Sequence, residues 1–132
     1  MLDTSALMAV LLGEPESAAC AAVLSSEARL LISAGTLAEA LIVAGSRGIG
    51  IEMATLVAEG SVEVVPVTAI TAARVAEAYA AWGRGHHPAG LNFGDCFAYA
   101  LAHETSYPLL YVGQDFAKTD VAAAVQGPAQ RT

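Results

Sequence analysis

The stretch Leu2-Asp3-Thr4-Ser5-Ala6-Leu7 constrains this chain more than any other. A short apolar run is followed by a carboxylate, two hydroxyls and an apolar pattern of helical period. That order suits a central strand of a parallel sheet that delivers a polar group to its C-terminal end. In open α/β sheets ligands bind outside that end. An Asp among apolar neighbours there loses hydration, which only a positive partner or hydrogen bonds offset. The rest of the chain is therefore read for what converges on Asp3.

Taken in order, Ala6–Leu12 reads as a short apolar helix closed by Gly13, and Glu16–Ala28 as a second helix. Leu30-Leu31-Ile32 is a strand too short and apolar for anything but a buried position. A helix starts at Ser33 and runs through Leu37, Ala40 and Ala44; another covers Ile49–Glu59. Val62–Val67 is expected as the third strand, with Pro66 limiting its length. Thr68 or Thr71 caps a long helix ending at Trp82, and the loop Gly83–Gly90 follows. A helix from Asn92 to Glu104, a fourth strand over Leu109–Val112 and an edge strand over Val121–Val125 complete the pattern. The tail from Gly127 is expected to fray. Strands alternating with helices predict an α/β fold: a parallel sheet of four to five strands with helices on both faces. At 132 residues the chain reads as one domain spanning 1–132.

Four carboxylates stand in apolar or glycine-rich surroundings: Asp3, Glu39, Asp95 and Asp115. Asp3 and Asp115 end predicted parallel strands, and Glu39 and Asp95 lie in early turns of helices that begin at the same edge. All four can therefore meet in one cleft. Ordinary roles compete. Thr36-Leu37-Ala38-Glu39 and Asn92-Phe93-Gly94-Asp95 both match capping boxes, and Asp115 suits a turn. Carboxylates a few ångströms apart repel, so a proton or a cation must lie between them. Hard oxygen ligands without clustered His or Cys select Mg²⁺, with Mn²⁺ as a substitute. Such a centre clamps a phosphodiester and activates water for in-line attack. Thr4 or Ser5 would hydrogen-bond a carboxylate, a bound water or a phosphate oxygen.

Composition narrows the partners. The chain is 55% hydrophobic and 14% charged, more apolar than a monomer of this size readily hides, so a sizeable interface is expected. A net charge of −7 speaks against non-specific phosphate binding, so any nucleic-acid role needs a local basic patch or bound cations. Cys20 and Cys96 lack metal or redox spacing and read as buried thiols. No apolar run reaches the roughly 18 residues of a membrane span. No basic region precedes the first apolar residues, so the chain is expected in the cytosol, away from membranes.

Leu2–Leu7, Gly90–Ala102 (GLNFGDCFAYALA) and Gly113–Asp120 (GQDFAKTD) together resemble the PIN-domain toxins of VapC type. The resemblance covers essentially the whole chain. It implies a Mg²⁺-dependent endoribonuclease acting on structured RNA, a homodimer, and restraint by a cognate VapB-type antitoxin. Carried over by position, the family's acidic set falls on Asp3, Glu39, Asp95 and Asp115, with Asp3, Asp95 and Asp115 as metal ligands. Asp120 matches a further acidic position of varying role. Arg84, His86 and His87, just ahead of the Asp95 helix, are expected to form an RNA-contacting flap; a solvated loop is the other reading. Trp82 and Tyr79 suit core or dimer contacts better than base stacking.

Two readings compete with a nuclease. A phosphotransfer enzyme using Asp3 as nucleophile would need a second Asp where Ser5 stands. A non-catalytic α/β interaction module would use the carboxylates only as caps.

Overall fold

The computed structural model describes residues 1–125. Helices α1 (Thr4–Leu12), α2 (Ser17–Ser26), α3 (Ala34–Ser46), α4 (Gly50–Glu59), α5 (Ala69–Trp82) and α6 (Phe93–Thr105) surround strands β1 (Leu31–Ser33) and β2 (Glu63–Val65). The strands pair in parallel, Leu31 opposite Glu63 and Ser33 opposite Val65. Hydrogen bonding continues beyond β1: the Leu2 amide donates to Leu31, Asp3 to Leu110, and Leu109 to Ala122. Leu2–Leu110 and Leu109–Ala123 are single parallel bridges.

The regular strands are shorter and fewer than expected. Leu109–Val112 and Val121–Val125 pair at single bridges, and Val62–Val67 shrinks to Glu63–Val65. Proline explains part of it, since Pro108 and Pro66 have no N–H to donate to a ladder. The stretch around Leu2 is cut short because α1 begins at Thr4.

Alternation along these short segments feeds two cores. Met1, Leu31 and Leu109 pack with Val75, Tyr99 and Leu101 of α5 and α6. Their neighbours Leu2, Ile32 and Leu110 pack with Leu7, Met53 and Val57 of α1 and α4. Successive side chains point to opposite faces of a strand, so even a three-residue β1 is buried throughout.

Local signals set the helix ends. Ser33 caps α3 through its side chain, which accepts from the Gly35 amide. Thr68 and Thr71, the two candidate caps of α5, act together as one capping box. Gly13 closes α1 at φ 65°, a left-handed conformation that glycine adopts without strain. Cys20 and Cys96 are buried free thiols. Among the described residues no single helix is long and apolar enough to cross a membrane.

Candidate active site

Asp3 is the N-cap of α1 and is only 3% exposed. Its Oδ2 accepts from the Ser5 amide at 3.0 Å and from Ser5 Oγ at 2.6 Å. Its Oδ1 is buried with no hydrogen-bond partner. Burial pushes the Asp3 carboxyl up to about 6, against the Ser5 hydrogen bonds and with help from the Glu39 charge. Ser5 Oγ also accepts from the Val112 amide at 2.9 Å, joining Asp3 to the segment that leads to Asp115.

Glu39 is not a capping residue. Thr36 lies buried inside α3 rather than at its start, so the expected Thr36–Glu39 box does not form. Instead Thr4 Oγ1 donates to Glu39 Oε1 at 2.8 Å, leaning also toward the Thr36 carbonyl at 3.4 Å. The carboxylate lies against Gly94 in the first turn of α6, where any Cβ would overlap it.

Asp95 does complete a capping box: its Oδ2 accepts from the Asn92 amide at 3.0 Å, and its own amide donates to Asn92 Oδ1 at 2.8 Å. It is half-buried, and desolvation pushes its carboxyl up to about 6, opposed by the Asn92 bond and assisted by the charges of Asp3, Glu39 and Asp115. Asp115 is exposed and starts the 3-10 turn Phe116–Lys118. Glu39 thus touches Thr4, next to Asp3, and Gly94, next to Asp95, which brings these three acids together; Asp115 is joined to them only through its charge.

The ion pair found among the described residues, Arg29 with Glu63, lies at the opposite edge, where β2 begins. Among these residues no three Asp, Glu, His or Cys side chains close into a ready-made metal cage. Thr4, Ser5 and Asn92 hold three of the carboxylates in separate hydrogen bonds, and mutual repulsion favours that separation. The donor set still fits a hard divalent cation: it is all oxygen, it is anionic, and one buried oxygen of Asp3 lacks a partner.

Arg84 and His86 are exposed on the loop whose base is closed by the Arg84–Leu91 and Leu91–Trp82 backbone bonds, next to Asn92. His87 is half-buried; its Nδ1 accepts from the Ala89 amide at 2.9 Å and its ring meets Trp82 edge-on at 4.7 Å. Trp82 donates to the Tyr99 hydroxyl at 2.9 Å, which donates to Asp120 at 2.6 Å. Burial, then the Asp120 contact, push the Tyr99 phenol up to about 12. Asp120 thus serves this aromatic chain. Gly94 was missed from sequence; its one signal is a poor helix former inside a helical turn.

Residues 1–122 match the PIN domain. Ribonuclease VapC30 of Mycobacterium tuberculosis is 41% identical over 125 residues, covering 92% of this chain and 95% of that protein. Ribonuclease VapC28 of the same organism is 42% identical over 129 residues, covering 95% and 97%. Ribonuclease VapC of Mycolicibacterium smegmatis is 40% identical over 126 residues, covering 93% and 98%. The fold overlays on VapC20 of Mycobacterium tuberculosis, described as a sarcin-ricin loop cleaving toxin, with a TM-score of 0.73 at 16% identity, covering 92% of this chain and 95% of that one. It also overlays on a chain of a toxin-antitoxin complex from Klebsiella pneumoniae, with a TM-score of 0.66 at 19% identity, covering 90% and 91%. The chain belongs to the PIN-domain family, within its VapC ribonucleases.

Proposed function

We propose that this protein is a divalent-metal-dependent endoribonuclease, the toxin of a type II toxin-antitoxin pair, acting on structured RNA in the cytosol. The observation that carries the reading is Asp3: a buried carboxylate with one oxygen unpartnered, facing further acids. The 40–42% identity to the VapC ribonucleases supports the same chemistry. Asp3, Asp95 and Asp115 would hold a Mg²⁺ or Mn²⁺ ion. When bound, that ion supplies Lewis acidity and activates water for in-line attack on a phosphodiester.

The chain's own part is positional. Ser5 fixes Oδ2 of Asp3 and leaves Oδ1 for the ligand. Thr4 holds Glu39 against Gly94, where its carboxylate can take the proton of the attacking water. Arg84 brings positive charge to RNA and His86 a ring that can hydrogen-bond it; His87 shapes their loop. In this reading the single bridges at Leu2, Leu110 and Ala123 are the remaining strands of a five-stranded sheet. A homodimer would cover exposed Ile42 and Ile51. A VapB-type antitoxin would bring an Arg to the acids.

The test is cleavage mapping on total RNA with wild type and Asp95→Asn, with and without Mg²⁺. Metal-dependent cuts that vanish in the variant are expected. One observation favours a non-catalytic module, namely that one carboxylate oxygen of Asp95, Oδ2, serves the helix cap. Absence of metal binding, of cleavage and of toxicity on expression would decide for it.

A further inference from the structure

Of the three phenylalanines, Phe116 is 3% exposed and Phe97 is half-buried, while Phe93 is 68% exposed. Phe93 is nonetheless held. Its ring meets Phe97 edge-on, centroids 5.0 Å apart at 83°. Phe97 in turn lies so close on Gly35 that a Cβ there would overlap its ring. One side of the Phe93 ring is thus anchored, and most of its surface is open.

Its place is telling. Phe93 and Asp95 flank Gly94, which lies against the Glu39 carboxylate. The Asn92–Asp95 box fixes the turn that carries them. A rigid, bare aromatic surface therefore stands at the rim of the acidic cleft. It can neither ligate a cation nor attract a phosphate. It suits the π-face of a base, which is worth several-fold to a hundredfold in affinity and tolerates any sequence.

Resting on the nuclease reading above, we propose that Phe93 is a stacking platform for an unpaired nucleobase beside the scissile phosphodiester. The cleft then accepts a bond in a loop or bulge, where a base can be splayed out, and not one inside an RNA helix.

The test uses a synthetic RNA oligonucleotide carrying the main cut that the wild-type protein makes in total RNA. Two further versions have an abasic ribose on either side of that bond. Phe93→Ala should lower kcat/KM about tenfold, mostly through KM, while Phe93→Tyr stays near wild type. One abasic oligonucleotide should cost the wild type the same factor and cost Phe93→Ala nothing further. Mn²⁺ affinity, read by calorimetry, should be unchanged in both variants. Phe93→Leu repeats the cycle if the alanine variant does not fold.

Equal cleavage by wild type and Phe93→Ala overturns the proposal, as does a loss that simply adds to both abasic penalties. A change in mass by light scattering without base coupling makes Phe93 a protein contact instead. Wild-type protein that cuts no RNA with Mg²⁺ or Mn²⁺ removes the nuclease reading, and this one with it.

Discussion

The two edges of the sheet treat charge in opposite ways. Where β2 begins, Arg29 meets Glu63 at 3.1 Å with both side chains more than half exposed, and a second guanidinium N–H reaches the Tyr107 hydroxyl at 3.1 Å. That carboxylate is neutralised by a neighbour in the same chain and by water. At the other edge, Asp3 is buried, and the groups that meet the acids are hydroxyls and backbone amides. Hydrogen bonds orient those carboxylates without cancelling their charge. The first edge is complete as folded; in the proposed reading the second is completed by a cation from outside.

The sharpest way to break this contrast is Asp3→Asn. RNA cleavage should fall at least about a thousandfold, since the charge that holds the ion is gone. In the absence of metal, the variant should be more stable to denaturant than wild type at pH 7 by about 1–3 kcal/mol, because a buried ionised group has been removed. A variant that cleaves normally would place the chemistry elsewhere.

Gly94→Ala comes next. The new Cβ pushes the Glu39 carboxylate aside, and a ten- to hundredfold loss of Mn²⁺ affinity or cleavage is expected, as for other supporting contacts at metal centres. Thr4→Val removes the donor to Glu39 and should cost about tenfold in kcat, with Thr4→Ser close to wild type. Rescue by serine separates orientation of Glu39 from a packing effect.

A pH series follows. With Asp3 and Asp95 raised to about 6, the folded metal-free chain binds more protons than the unfolded one between about pH 4 and 6. These two groups therefore favour folding below that window, and the advantage is lost as pH rises through about 6, with Asp3 alone worth about 3 kcal/mol. Denaturant melts with EDTA should show it, and Mg²⁺ at pH 7 should restore the loss. The smallest effect belongs to the other edge: Glu63→Gln should leave cleavage unchanged and hardly move the melting temperature, because an exposed pair contributes little.

The sequence was most legible where a side chain makes a local bond. Ser33, Thr68 with Thr71, and Asn92 with Asp95 cap helices where their patterns indicate. The acids were legible as a group because charge among apolar residues is rare. Thr36–Glu39 has the same local pattern as Asn92–Asp95 and behaves otherwise, since α3 had already started at Ala34 from the Ser33 cap. Gly94 was illegible for a related reason: it accommodates a residue 55 positions away that only packing of α3 on α6 brings near. Strands were the least legible. Apolar runs such as Leu109–Val112 show what is buried but not how many residues pair once Pro108 and the helix starts take their share.

The Ser5 hydroxyl has one further consequence. Because it donates to Asp3 and accepts from the Val112 amide, the carboxylate and the approach to Asp115 form a single linkage. An ion drawn to Asp3 would tighten that linkage, so the Val112 amide should exchange with deuterated solvent more slowly once Mg²⁺ is added. One backbone proton would then report occupancy of the cleft without any RNA being cut.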